Sequence, residues 1–349
     1  MNKTLLRLAD ANINRVSEGL RVLEDVARLA FSDRLLSLTL KKMRHSLLGL
    51  AGSLPGGRKA LVLSRDAARD PGRTITAGAE RNREGLADII QANAKRAQEG
   101  LRVLEEFLKL PGNNSGEAKK LRFALYDIEK KLAAMAARSS CFSGGCALYA
   151  ILDPDLYGER RVLECAALLP AGTIVQLRSK DGNAGKIINL AVKLKRTLEN
   201  SSCLLLINDR ADIAFAAGAG GVHLGRHDLP CAKARELLGE GAVIGGTVRD
   251  PRGARKLEKE GADYAAAGPV FYSKTKMPLK SPLGLTLLKK IVRSTKLPVV
   301  GIGGINAANI ASVAAAGAAG AALISGILEG DMKKNLARLL AGLKLKEKK

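Results

Sequence analysis

The stretch Cys203-Leu-Leu-Leu-Ile-Asn-Asp209, answered by Gly221-Val-His-Leu-Gly-Arg-His-Asp228, decides the fold. Each is a short apolar run that ends abruptly in amide, imidazole or carboxylate groups. A run of this kind, bounded by Gly or charge, reads as a buried parallel strand, with a helix beginning near Ala211 in between. The rhythm extends both ways along the chain. Strand candidates are Ala147–Leu152, Thr173–Leu177, Cys203–Ile207, Gly221–Leu224, Ala242–Gly246, Tyr264–Ala267, Pro298–Ile302 and Ala321–Ile324. Amphipathic segments such as Lys186–Leu198, Ala232–Leu238, Arg252–Glu260 and Leu285–Val292 lie between them. Eight such units in ~200 residues predict an α/β fold, a compact (β/α)8 TIM barrel over 147–345. A doubly wound open sheet is the alternative, but it usually carries fewer strands.

The strand ends carry the chemistry. They read Gln176-Leu-Arg-Ser-Lys180, Asn208-Asp209, Gly225-Arg-His-Asp228, Ser273-Lys-Thr-Lys276, Gly301-Ile-Gly-Gly304 and Ile324-Ser325-Gly326. Arg178 and Lys180 alternate with Leu177 and Ser179, so both can point into one mouth. Arg offers a bidentate fork for phosphate and Lys a mobile point charge. Asp209 and Asp228, from neighbouring strands, can share a hard cation such as Mg2+. Asp209 is equally suited to cap the following helix, and the two roles are compatible. His223 alternates with apolar neighbours and reads as structural, whereas His227 beside Asp228 could face a pocket. Without Cys or Glu at ligand spacing, zinc is not expected. Ser273, Thr275 and Lys276 suit phosphate, or else form an exposed basic loop. Glycine turns after strands seven and eight occupy the usual barrel position for a phosphate.

Composition sets the frame. With 349 residues and ~150 per domain, two domains are expected. Residues 1–138 read as helical, and 139–146 form a small-residue linker that breaks helices. The net charge of +23 fits anionic partners, but Trp is absent and aromatics are 3%. Stacking platforms for nucleic acid are therefore not expected, and phosphorylated small molecules are the expected partners. Five cysteines without framework spacing, and an N-terminus with no signal-peptide core, predict a reducing cytoplasm. The uncharged stretch Gly301–Leu328 is Gly- and Ala-rich and reads as strand, turn and helix, not a membrane span. The oligomeric state stays open.

The helical half repeats itself. Ala11-Asn-Ile-Asn-Arg-Val-Ser-Glu-Gly-Leu-Arg-Val-Leu-Glu24 recurs as Ala92-Asn-Ala-Lys-Arg-Ala-Gln-Glu-Gly-Leu-Arg-Val-Leu-Glu105. Lys41-Lys-Met-Arg44 is echoed by Lys119-Lys-Leu-Arg122. Each copy predicts a helical hairpin, with Ser32 and Ser115 as N-caps, and two hairpins make an all-α bundle. Ile13, Val16, Leu20 and Leu23 form an apolar stripe, with Asn12, Arg15 and Gly19 beside it and Asn93, Arg96 and Gly100 as their copies. A mid-helix Gly costs ~1 kcal/mol against Ala, so two of them imply close approach by a helix or a ligand. The connector from Gly52 to Gly85 is long enough to be functional or disordered. Gly52–Lys59 misses a phosphate-binding P-loop, with Arg58 and Lys59 where Lys and Ser/Thr belong.

Taken in order, the barrel motifs resemble thiamine phosphate synthase from about Ala147 to Leu340. That resemblance implies joining of hydroxymethylpyrimidine diphosphate to a thiazole phosphate, releasing pyrophosphate, with Mg2+. It assigns Gln176, Leu177, Arg178, Ser179, Lys180, Asn208, Thr247 and Lys276 to the pyrimidine diphosphate and Asp209 and Asp228 to the metal. Ser273, Thr275, Gly304, Ile324 and Ser325 match the thiazole phosphate positions. Arg178, Lys180 and Lys276 would stabilise charge on the leaving diphosphate. The departures are Thr247 for a common Ser, Arg226 for Gln and Ser273 for Thr.

The repeat, with Arg65-Asp66 and Asp70-Pro-Gly72, resembles a small helical domain found alone or fused to that synthase. Its implied activity is ATP-dependent phosphorylation of hydroxymethylpyrimidine phosphate, and Asn12, Arg15, Asp66, Asp70, Asn93 and Arg96 are the candidates. Two rivals remain: a thiazole tautomerase-like barrel, and a helical half that only docks or dimerises.

Overall fold

The computed structural model describes residues 2–31, 33–66, 83, 85–110, 115–142, 145–180, 183–273 and 281–344. The chain divides into two compact units, Met1–Ala137 and Arg138–Lys349.

The first unit is helical: α1 (Lys3–Asp25), a π-helical turn at Val26–Ala30, α2 (Arg34–Ser53), α3 (Gly57–Leu63), α4 (Leu86–Phe107) and α5 (Gly116–Ser140). The cap of α2 is Asp33, whose carboxylate accepts from the Leu36 N–H at 2.9 Å; Ser32 lies outside the described residues. Ser115 precedes α5, and its carbonyl accepts the Lys119 N–H at 3.2 Å. The apolar stripe Ile13, Val16, Leu20 and Leu23 is buried together with its repeat partners Ala94, Ala97, Leu101 and Leu104. Helix α5 continues to Ser140, into the segment read as a linker. The stretch Gly52–Lys59 spans the end of α2 and the start of α3, with no strand before it as a P-loop would have.

The repeated glycines sit where α1 and α4 cross. A Cβ on Gly19 would fall 2.7 Å from the Asn93 carbonyl oxygen, and one on Gly100 2.7 Å from Val16 Cγ2. Close approach by a helix therefore explains both. The symmetry extends to charge: buried Glu24 pairs with Arg44, and buried Glu105 with Arg122 at 3.0 Å. These are the residues of the weaker echo, so each hairpin is clamped by the same ion pair.

The second unit is a closed parallel barrel, β1 to β8 in sequence order, with β8 pairing back on β1. Its strands are β1 (Ala147–Leu152), β2 (Ile174–Leu177), β3 (Leu204–Asn208), β4 (Gly221–Leu224), β5 (Val243–Val248), β6 (Tyr264–Ala267), β7 (Val299–Ile302) and β8 (Gly320–Leu323). Between them run α6 (Pro154–Tyr157), α7 (Glu159–Leu168), α8 (Ala184–Leu198), α9 (Ala211–Ala217), α10 (Cys231–Leu238), α11 (Pro251–Lys259), α12 (Gly284–Val292) and α13 (Ile310–Ala315). After β8 come α14 (Ser325–Leu328) and α15 (Met332–Lys344).

The period-two alternation sorts residues to two cores. Leu148, Ala150 and Leu152 pack outward with Val175, Leu177, Leu190 and Leu194 against the helices. Tyr149, Ile151, Ile174, Leu206, Tyr264 and Val300 fill the barrel interior. The same alternation carries Gln176 to the interior side. The uncharged stretch 301–328 resolves into the end of β7, then α13, β8 and α14. No described helix is long and apolar enough to cross a membrane.

Candidate active site

A cleft of about 290 Å³ opens at the C-terminal ends of the strands. Its lining draws together Gln176, Arg178, Lys180, Asn208, Asp209, Thr247, Ser273, Gly304, Ile324 and Ser325, which are far apart in sequence. Two expected residues are turned away. Leu177 is buried in the strand–helix core, and the Ser179 hydroxyl donates to Asp155 at 2.8 Å. Thr275 and Lys276 lie outside the described residues, as does Asp70 of the helical half.

Arg178 and Lys180, the cations of the β2 end, are held by acids that strand-end reading overlooked. Arg178 donates to Asp153, a fully buried carboxylate that also caps α6 by accepting from the Leu156 N–H at 3.2 Å. Asp155 receives the Lys180 backbone N–H at 2.5 Å as well as the Ser179 hydroxyl. Both acids follow β1, so the rule that found Asp209 after β3 would have found Asp153 after Leu152. Gln176 donates its amide to Asn208 Oδ1 at 2.9 Å, bracing β2 against β3 at the cleft floor.

Asp209 is held in an unusual backbone. Its φ is +62°, and the Arg210 N–H bonds the Asn208 carbonyl at 2.8 Å, forming a γ-turn with positive φ. Such a turn is rare and strained for a residue with a side chain, and strain of this kind collects at functional sites. The helix that follows is capped at Arg210 with no side-chain bond. Asp209 is therefore not an N-cap; its carboxylate meets the Lys180 ammonium and Asp228. Asp228 also accepts the Gly225 N–H at 2.6 Å.

The two acids split their affinity for protons. Burial and the neighbouring Asp209 raise the pKa of Asp228. Burial opposes the charge on Asp209 too, but the Lys180 ammonium and the bond with Asp228 pull its pKa below the usual carboxylate range. A proton or a cation between the two carboxyls relieves this contact. Their all-oxygen donor set fits Mg2+, which binds one or two carboxylates and keeps its other positions for water and phosphate. Among the described residues no cluster of three or more His, Cys, Asp or Glu could form a cage for another metal.

Across the cleft, Gly303 and Gly304 take φ of +97° and +67°. A Cβ at Gly304 would fall 2.3 Å from the Tyr272 carbonyl oxygen, so the turn lies flat against the Ser273 loop. Arg249, another lining residue not anticipated, donates to the Gly268 and Ser281 carbonyls at 3.3 and 2.8 Å. His227 and Arg226 line the cleft as well. His223 is both structural and exposed to the cleft: buried, with Nδ1 2.9 Å from the Tyr264 hydroxyl and Nε2 3.0 Å from Thr247 Oγ1.

The family model for thiamine monophosphate synthase matches residues 148–327. The chain belongs to the thiamine phosphate synthase family. A thiamine-phosphate synthase of Synechocystis sp. is 36% identical over 93% of this chain and 92% of its own length. One from Synechococcus sp. strain CC9311 is 37% identical over 96% of this chain and 94% of its own. Both likenesses run through the helical half, which matches the ThiD2 family over residues 7–131. Among solved structures, thiamine phosphate pyrophosphorylase from Pyrococcus furiosus superposes with a TM-score of 0.52 at 32% identity. It covers 57% of this chain and 96% of that one. The chain is thus a transferase of the synthase family with a ThiD2-family domain ahead of it. In this family member the Thr247 hydroxyl, at the departure from Ser, lies 3.0 Å from His223 Nε2.

The helical candidates are less convergent. The Asn12 and Asn93 amides donate to the carbonyls of Leu8 and Ile89, four residues back, at 2.9 and 2.8 Å. These equivalent bonds flank the glycine crossing. Arg15 and Arg96 are exposed. Asp66 offers its carbonyl to Arg7 at 2.8 Å, and Arg65 forks onto buried Asp10 at 2.7 and 3.0 Å.

Proposed function

We propose that the barrel joins hydroxymethylpyrimidine diphosphate to thiazole phosphate and releases pyrophosphate, with Mg2+ held by Asp209 and Asp228. The observation that carries this reading is Asp209, paired with Lys180 and next to Asp228, lining one cleft together with Arg178, the Gly303–Gly304 turn and Ser325. Mg2+ supplies charge to the leaving diphosphate when bound. The chain's own residues do the rest. Arg178, kept in place by Asp153, and Lys180 grip the phosphoryl oxygens. Gln176, Asn208 and Thr247 hold the pyrimidine. As the carbon–oxygen bond to the diphosphate breaks, the aminopyrimidine spreads the positive charge on the carbon. The thiazole nitrogen then attacks, so no protein nucleophile is needed. Ser273, Gly304, Ile324 and Ser325, with Thr275 by resemblance, orient the thiazole through its phosphate, and Lys276, also by resemblance, joins Arg178 and Lys180 on the diphosphate.

The helical unit, about residues 1–138, is proposed to make that diphosphate from the monophosphate and ATP, and the barrel domain to span 147–345. Phosphorylated small molecules in the cytoplasm are the proposed partners. A coupled assay tests both steps. The full chain is given pyrimidine monophosphate, ATP, Mg2+ and thiazole phosphate, and in parallel the diphosphate without ATP. Thiamine phosphate in both arms supports both activities. Product only from the diphosphate leaves the helical unit non-catalytic, and no product from the diphosphate overturns the joining reaction.

A further inference from the structure

A chain of four hydrogen-bonding groups runs from the blind interior of the barrel to the cleft. The Tyr149 and Tyr264 hydroxyls lie 2.8 Å apart. Tyr264 continues to His223 Nδ1 at 2.9 Å, and His223 Nε2 to Thr247 Oγ1 at 3.0 Å. Both tyrosines are fully buried, at 1% and 0% exposure, in the apolar cluster that includes Phe142, Ile174 and Leu206. Gly245 exists to admit this arrangement: a Cβ there would fall 2.0 Å from Tyr264 Cζ.

The protons along such a chain can run one way, run the other way, or leave the ring with two. Burial pushes both phenols well above their usual range, so each keeps its proton at neutral pH. If Thr247 donated to His223, and His223 to Tyr264, then Tyr264 would donate to Tyr149. The same holds if the ring carried both protons. In either case the Tyr149 proton would have no acceptor, because Tyr264 is its hydroxyl's hydrogen-bond partner among the described residues. A buried donor without an acceptor is the costly outcome that folded proteins avoid. One polarity leaves no orphan. Tyr149 donates to Tyr264, Tyr264 to Nδ1, and the Nε2–H to Thr247 Oγ1. The Thr247 proton is then turned toward the cleft.

We propose that Tyr149 and Tyr264 are positioning residues that make His223 Nδ1 an acceptor, keep the ring proton on Nε2 and thereby make Thr247 a hydrogen-bond donor to an acceptor atom on the bound pyrimidine. The ligand half of this statement rests on the joining reaction proposed above; the tautomer half does not. The sequence contains three histidines, His45, His223 and His227, so selective 15N-histidine labelling of the full chain gives assignable ring signals. The expected ligand-free spectrum shows the His223 proton on Nε2 and Nδ1 bare, while a proton on Nδ1 overturns the proposal. Tyr264→Phe keeps the ring in place and removes the lock. It should give His223 mixed tautomers. KM for the pyrimidine diphosphate should rise roughly 3- to 10-fold, with that for thiazole phosphate unchanged. Thr247→Val should lose affinity for the pyrimidine diphosphate alone. If Tyr264→Phe leaves both the 15N pattern and that KM unmoved, the proposal is wrong. If the wild type joins nothing, the reaction assignment fails, and the ligand-free spectrum still decides the tautomer.

Discussion

The carboxyls of Asp209 and Asp228 converge on Gly225 although they follow different strands, β3 and β4: a Cβ there would fall 3.8 and 2.9 Å from their oxygens. Two acids cannot both stay ionised at this separation without a neutralising partner. Lys180 supplies part of that, since its ammonium meets Asp209. The remainder sets a pH dependence. The lowered pKa of Asp209 contributes stability that is present above its unfolded value and lost as pH falls through the folded one. The raised pKa of Asp228 contributes stability that is present below its unfolded value and lost as pH rises through the folded one.

Replacing Asp228 by Asn removes the ionisation that burial and Asp209 disfavour. In EDTA, Asp228→Asn should therefore gain thermal stability relative to wild type as pH rises from about 4 to about 7. Added Mg2+ should reverse the order. A ligand at 100 times its Kd stabilises by roughly 2.7 kcal/mol, and only the wild type has both carboxylates to bind it. Melting curves over pH, with and without Mg2+, check both signs. A variant that Mg2+ stabilises as much as the wild type would remove Asp228 from the metal site.

Asp153 is the test of the proposed diphosphate grip. It is fully buried and pairs with Arg178, whose side chain is 18% exposed. Asp153→Asn keeps the shape and the cap on α6 but leaves Arg178 without a charged partner. Hydrogen bonds to charged groups contribute about 1.5–3 kcal/mol, so kcat/KM for the pyrimidine diphosphate should fall roughly 10- to 100-fold. Steady-state kinetics with each substrate varied separately would show the loss on the diphosphate side. An equal rise in KM for thiazole phosphate would point to general disorder of the rim instead.

Much of this was legible in the chain because parallel strands in a barrel are buried on both faces. The runs at Ala147–Leu152, Gly221–Leu224 and Tyr264–Ala267 coincide with β1, β4 and β6 to the residue. Polar groups at strand ends then fell into the cleft, as Asn208, Asp209 and Gly304 show. What escaped reading depends on contacts between strands. Tyr149 and Tyr264 look like ordinary core aromatics until β1 and β6 face each other across the barrel interior. Asp209 reads as a cap because Asp favours that place; its positive φ and its pairing with Lys180 show that it is not one. The glycines of the repeat left helix and ligand equally open, and the distances from α1 to α4 decide for the helix.

That crossing makes an asymmetric prediction from a symmetric sequence. By helix propensity alone, Gly→Ala should stabilise by ~1 kcal/mol. Here the new methyl at position 19 meets a backbone carbonyl oxygen, and at position 100 a valine methyl. Backbone cannot step aside as a side chain can, so Gly19→Ala should be the worse of the two, destabilising the helical unit by about 1–3 kcal/mol. Val16→Ala should recover most of the loss from Gly100→Ala and little of that from Gly19→Ala. A double-mutant cycle by chemical denaturation measures this coupling directly. Equal penalties at both positions, or none, would show that the helices do not approach through these glycines.

Gly304 bears on the other half of the cleft. Its φ of +67° costs a side-chain-bearing residue about 1–2 kcal/mol, and its Cβ would also sit 2.3 Å from the Tyr272 carbonyl oxygen. Gly304→Ala must therefore push the turn and the Ser273 loop apart. If this turn holds the thiazole phosphate, KM for thiazole phosphate should rise at least about tenfold, the equivalent of one lost charged hydrogen bond, while KM for the pyrimidine diphosphate holds. Gly303→Ala is the matched control, since its Cβ would meet Pro269 at 2.5 Å on the adjoining wall. Thiazole analogues lacking the phosphate should bind wild type and Gly304→Ala alike. A variant that discriminates equally against phosphorylated and unphosphorylated thiazoles would mean that Gly304 shapes the cleft without touching the phosphate.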